Sequence, residues 1–153
     1  MGRQGSATNR IDADPDVVFA AITDIARLPE WNAVMSRVVE IPDELVPGAE
    51  WMVELALLGS TVRSRARVLE IDPVARRFSH RSVSDDGNPS YTLWTWQVDD
   101  EGRGARVSVS WDQNPKTFAR KLVVSRIRSR MLRNEVAASL DALAKATATA
   151  GNA

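Results

Sequence analysis

Ala105-Arg106-Val107-Ser108-Val109-Ser110-Trp111, with the Gly- and Pro-free stretch from Lys116 to Ala146 behind it, decides how this chain folds. The first segment alternates. Ala105, Val107, Val109 and Trp111 fall on one face, and Arg106, Ser108, Ser110 and Asp112 on the other, the period-2 pattern of a strand with one buried and one wet side. The second segment is rich in Ala, Leu and Arg, and its larger apolar residues recur every three or four positions. That spacing predicts one long helix, roughly 45 Å at 1.5 Å per residue. Phe118, Leu122, Ser125, Ser129, Leu132, Val136, Leu140 and Leu143 share its inner face.

Working outward, Tyr91–Val98 pairs with Ala105–Trp111 as a hairpin around Asp99–Gly104. Before it come strand candidates at Arg37–Ile41, Glu50–Leu58, Thr61–Ile71 and Arg77–Val83, separated by Pro42/Asp43/Pro47/Gly48, Gly59-Ser60, Asp72-Pro73 and Asp85–Pro89. Thr61–Ile71 sets Arg63, Arg65 and Arg67 against Val62, Ser64, Ala66 and Val68. Ser6–Asp12 reads as a first strand. Asp14-Pro15 then starts a helix, with Asp14 as cap and Pro15 at the first helical position. Pro29 divides that region into two short helices, about 15–24 and 28–33. The expected order is strand, two short helices, six strands, long helix: an α+β domain over residues 6–147. Residues 1–5 are expected to be a disordered lead and 148–153 a disordered tail.

Composition removes much chemistry. The chain has 153 residues, enough for one domain with a sizeable core. It has no Cys, so disulfides, thiolate metal sites and cysteine nucleophiles are excluded. His80 is its only histidine, which excludes multi-histidine metal motifs. No metal and no cofactor are expected. No G-x-S-x-G elbow is present, and Gly102-Arg103-Gly104 is a loop pair rather than a dinucleotide fingerprint. Lys+Arg and Asp+Glu balance at 20 each, which argues against general nucleic-acid binding. The polar start and a longest apolar run of six residues, Val17–Ile22, predict a cytoplasmic protein without signal peptide or membrane span.

Several segments together resemble the START/Bet v 1-like superfamily (SRPBCC), and within it the polyketide cyclase/dehydrase-like group. They are Ile11-Asp12-Ala13-Asp14-Pro15-Asp16-Val17-Val18-Phe19; Thr23-Asp24 with Leu28-Pro29-Glu30-Trp31-Asn32; and Val68-Leu69-Glu70-Ile71-Asp72-Pro73 with Arg77-Phe78. The long final helix also matches in place and length, so the resemblance spans about 6–147. It implies a helix-grip fold: a curved seven-stranded antiparallel sheet around the long C-terminal helix, with an apolar cavity between them. Members bind lipids, hormones, polyketides or quinones, and some are enzymes.

The residues give the cavity expectation their own support. If Val107, Val109 and Trp111 point inward, the same alternation turns Trp94 and Trp96, Phe78 and His80, and Trp51, Val53 and Leu55 toward one concave surface. Four of the five tryptophans then meet there, where each buried indole N–H needs a partner. Such a wall suits an amphipathic ligand; it would equally serve as a packed aromatic core. Ser125 and Ser129 on the helix, with Ser64 and Ala66 opposite, are small residues at central inward positions. They leave volume for rings, water or a ligand to fill, although helix serines also bond to their own backbone. Leu28 and Trp31, with the loops at Gly59 and Asn88, are expected at the entrance.

Three functions follow as expectations. The first is a binding or carrier protein for a small hydrophobic ligand: a lipid, a quinone or a polyketide-like molecule. The second is a polyketide cyclase or dehydratase using His80 as its acid–base group. The third is a regulatory interaction protein. Lys116 to Arg133 holds seven basic residues and no acid, while the other 13 basic and 20 acidic residues leave the rest of the chain at −7. Arg126, Arg128 and Arg130, with Val123, Val124, Ile127 and Met131 beside them, could meet a protein or an anionic membrane surface. Either a monomer or a homodimer is compatible with the sequence.

Overall fold

A computed structural model describes residues 4–57, 59–85, 87, 89–116 and 129–151. Seven strands form one antiparallel sheet: β1 (Gln4–Ile11), β2 (Met35–Glu40), β3 (Glu50–Leu57), β4 (Ser60–Asp72), β5 (Arg77–Ser84), β6 (Tyr91–Glu101) and β7 (Gly104–Asn114). Their spatial order is β1-β7-β6-β5-β4-β3-β2. Strands β2 to β7 are therefore a meander of neighbours, and β1 closes the far edge against β7. Bulges interrupt the β2–β3 ladder and the β4–β5 ladder, the latter between Val68 and Glu70. A bulge adds local twist and bends its strand, which curves the sheet around a concave face.

The β6–β7 hairpin is longer than expected. Glu101 pairs with Gly104, and the two-residue connection turns at Gly102, whose φ of +63° suits glycine. At the β1 edge, Gly5 lies opposite Trp111. A Cβ there would run into the Trp111 indole, so glycine lets the ring fold back over the neighbouring strand.

Helix α1 (Pro15–Thr23) starts as the sequence predicts: the Asp14 carboxylate accepts from the Asp16 amide at 2.8 Å, and Pro15 takes the first turn. Val18, Phe19 and Ile22 bury its inner face. The second short helix differs from expectation. It is a 3-10 helix at Ile25–Glu30, with Pro29 inside it, rather than an α-helix at 28–33. In three-per-turn geometry Ile25 and Leu28 stack on one side, and both are buried.

The last helix, α2 (Ser129–Gly151), packs against β1 and α1. Leu132, Val136, Leu140 and Leu143 bury its inner face, as their spacing predicts. Thr147 continues that face and donates its hydroxyl to the Leu143 carbonyl at 2.8 Å. Lys116, expected as the first helical residue, is not helical: its amide donates to Ser90 Oγ at 2.8 Å. Both ends of the regular structure lie further out than expected, at Gln4 and Gly151. Phe118, Leu122, Ser125, Arg126 and Arg128 lie outside the described residues, as do the side chains of Ser129 and Arg130. The architecture is the helix-grip fold that the resemblance implies.

Candidate ligand-binding cavity

The concave face of the sheet, the 3-10 helix and the first half of α2 border a cavity of about 120 Å³. Strand alternation supplies half of its lining residues. Trp51, Val53 and Leu55 come from β3, Ser64 and Ala66 from β4, Phe78, His80 and Ser82 from β5, and Trp94 and Trp96 from β6. The register explains why they meet: Val68, His80, Trp94, Trp111 and Gly5 lie in one row across five strands, and Phe78, Trp96 and Val109 share the next. Within this surface the rings form a belt. His80 stands 6.2 Å from Trp94, 5.1 Å from Trp51 and 5.2 Å from Phe78 between ring centroids, and Trp94 stands 6.0 Å from Trp111.

The three inward residues assigned to β7 do not border the cavity. Val107, Val109 and Trp111 are buried, but α1 and α2 pack over that end of the sheet and fill the space above it. Leu28 and Trp31 are the residues expected at the entrance. Both are buried, at 5% and 4% exposure, and form part of the wall. Trp31 meets Trp96 edge-to-face, with centroids 5.7 Å apart and planes at 83°. Among the loops expected at the entrance, Gly59 is exposed and Asn88 lies outside the described residues.

Sequence reading left out of the wall the contributions of α1, of the segment that leads from the 3-10 helix into β2, and of α2. Ile22, Asn32, Val34, Met35, Leu132, Glu135, Val136 and Ser139 complete the wall. Ser139 is buried and accepts the Ala33 amide at 2.9 Å, tying α2 to the segment after the 3-10 helix. Its position three after Val136 was the available signal. Glu135 brings a carboxylate to the wall, and nothing in the helical period distinguishes it from a surface acid.

The wall is mostly carbon, with a few polar atoms. Trp94 Nε1 donates to Ser82 Oγ at 3.0 Å. Trp31 Nε1 and His80 Nδ1 are buried without a hydrogen-bond partner among the described residues. His80 is half-buried and lines the cavity, with the rings of Trp51, Phe78 and Trp94 around it. Burial among these rings pushes its pKa from 6.5 down to about 3, because an imidazolium there would lose its hydration without gaining an acid partner.

The ion pairs of β2 to β4 lie on the outer face of the sheet. Glu54 pairs with Arg37 at 2.8 Å and Arg63 at 3.5 Å, which hold its carboxyl below the usual range. Arg65 bridges Glu40 at 3.1 Å, Glu50 and Asp85. Arg63 and Arg65 of β4 thus belong to a solvated ion-pair lattice outside the site. Among the described residues no group of His, Asp and Glu is arranged to hold a metal ion, and no helix is long and apolar enough to cross a membrane.

Comparison with known proteins agrees with this architecture. Among solved structures, the Thermus thermophilus protein TTHA0849 superposes with a TM-score of 0.77 at 20% identity, covering 96% of this chain and 98% of its own. The major latex-like protein 151 of Panax ginseng gives 0.75 at 14% identity, with 94% and 96% covered. The di-domain ARO/CYC BexL from the BE-7585A biosynthetic pathway gives 0.73 at 18% identity, over 94% of this chain and 45% of that one. No curated protein sequence matches the chain. The family model described as polyketide cyclase / dehydrase and lipid transport matches residues 4–148. With nearly the whole chain covered, this protein belongs to the polyketide cyclase/dehydrase and lipid transport family.

Proposed function

We propose that this chain binds or carries a small hydrophobic molecule, a lipid, quinone or polyketide-like compound, between α2 and the sheet. One observation carries the reading: an apolar, ring-lined cavity lies between the sheet and α2, and two of its lining residues, Trp31 and His80, hold buried nitrogens without partners among the described residues. A native interior is ordinarily close-packed, and its polar atoms are ordinarily bonded, so both departures at one place favour a ligand. An acid–base role for His80 has less support. An efficient general base has a pKa near the working pH, whereas His80 sits near 3 and no described carboxylate orients its ring.

Titration with a quinone, a short-chain lipid and an aromatic polyketide, following tryptophan emission, tests the reading. Saturable quenching by at least one of them is expected. It should be lost in Ala66→Phe, which puts a ring into the cavity from the buried Ala66 position. No saturable change with any of the three overturns the proposal.

A further inference from the structure

Two serines on the sheet wall narrow what the cavity can hold, and this step rests on the ligand-binding reading above. Strands β4 and β5 turn Ser64 and Ser82 inward among the rings, and both residues line the cavity half-buried. Ser64 pairs with Ser84 and Ala66 with Ser82, so the two serines are diagonal neighbours on adjacent strands. Cα atoms in that relation stand about 7–8 Å apart, and their Cβ atoms somewhat closer. Ala66, beside both, adds only a methyl group to the same stretch of wall. Ser82 Oγ lies 3.0 Å from Trp94 Nε1. An indole nitrogen only donates, so Ser82 is the acceptor in that bond and keeps its own proton to give. That proton finds no acceptor among the described residues. Ser64 Oγ has no hydrogen-bond partner among the described residues either, and unlike the nitrogens of Trp31 and His80 it is not closed over by neighbouring atoms. Two hydroxyls thus border one stretch of cavity, each with a proton to give. Two O–H···O bonds of about 2.7–2.8 Å to one shared oxygen span up to about 5.5 Å, a reach that suits the diagonal spacing. A carbonyl oxygen has the two lone pairs that such a bridge needs.

We infer that the ligand presents a carbonyl oxygen, as a ketone or a quinone does, and that this oxygen accepts from both Ser64 and Ser82 on the β4–β5 wall. The two serines act here as specificity residues. The rings of Trp51, Phe78 and Trp96 supply apolar contact to the carbon frame without distinguishing a carbonyl from a methylene.

Indane and 1-indanone, a rigid pair in which a carbonyl replaces one methylene, test this on the intact chain by calorimetry. The ketone is expected to bind about tenfold more tightly than the hydrocarbon. Ser64→Ala should cut that ratio at least about threefold and leave indane within about twofold, because only a hydroxyl is lost. The Ser64 hydroxyl holds no other described residue in place, so the variant should keep the urea midpoint of the unmutated protein. Infrared spectroscopy gives a second reading. The carbonyl stretch of bound 1-indanone should lie below its value in hexane, and it should move back up in Ser64→Ala and in Ser82→Ala. A stretch lowered equally in all three proteins would assign the bond to a trapped water and overturn the inference. Equal binding of ketone and hydrocarbon, or a ratio untouched by Ser64→Ala, overturns it too while leaving hydrophobic binding intact. Failure of both probes to bind removes the inference and counts against the ligand-binding reading as well.

Discussion

Trp31 and His80 are both wall residues of one cavity, yet the sequence exposed them unequally. His80 was legible because strand period is two: knowing that Phe78 faces inward fixes His80 and Ser82 with it. Trp31 follows a 3-10 helix, where phase depends on which turn geometry Pro29 imposes, so its orientation could not be counted out. Glu135 and Ser139 were missed for a related reason, since a polar residue in a helical period reads as surface unless the opposite wall is known. The environment of His80 has a measurable consequence. Its folded pKa of about 3 lies below the 6.5 of an unfolded imidazole, so the unfolded chain binds the extra proton between those values. Stability is therefore whole above pH 6.5 and falls as the pH drops toward 3, by up to about 1.4 kcal/mol per pH unit. The carboxyls of Glu54 and Glu101, held low by Arg37 and Arg106, lose their contribution only below about 4.5. Urea unfolding at about pH 4.5 to 7 thus isolates the histidine, and His80→Phe should flatten the slope in that window. An unchanged slope would mean that the ring is solvated.

At the scale of elements, strands were legible and their ends less so. Alternation located β4 and β7, each with a drier and a wetter face, while β2 was found as an apolar, β-branched run between turn residues. Hairpin lengths were underestimated where charged residues continue a ladder, as at Asp99–Glu101 opposite Gly104–Arg106. The bulge at Leu69 left no pattern beforehand, since one extra residue between Val68 and Glu70 looks like a plain strand until both neighbours are paired. The β1–β7 contact shows how tightly two elements can be matched. Gly5 leaves room for the Trp111 ring, and Trp111 in turn leans on Trp94. Gly5→Ala should force that ring aside and cost about 1–3 kcal/mol, as overpacking does. Urea denaturation would measure the loss, and near-ultraviolet circular dichroism would show an altered indole environment. Full stability with an unchanged spectrum would refute the packing argument.

The whole molecule is a sheet, a helix laid against its concave side, and a space at one end of their contact. Along α2, Leu132 and Val136 face the cavity, whereas Leu143 is fully buried in the continuous core. Leu143→Ala should therefore cost about 2–5 kcal/mol by transfer and void formation together. Its effect should appear as a lowered midpoint with an unchanged denaturant slope; a loss under about 1 kcal/mol would show that the helix rests loosely on the sheet. The pairing of β1 with β7 has a further consequence, and it concerns time. Gln4 meets Asp112 and Ile11 meets Ala105, so the first strand made is the last that can be placed. The meander β2 to β7 can zip by local hairpins, while the β1 edge waits on a closure spanning most of the chain, the kind of contact that slows folding. Until then the aromatic row is an open surface in water. During synthesis the nascent chain must keep the open edge of β7 from pairing with other chains.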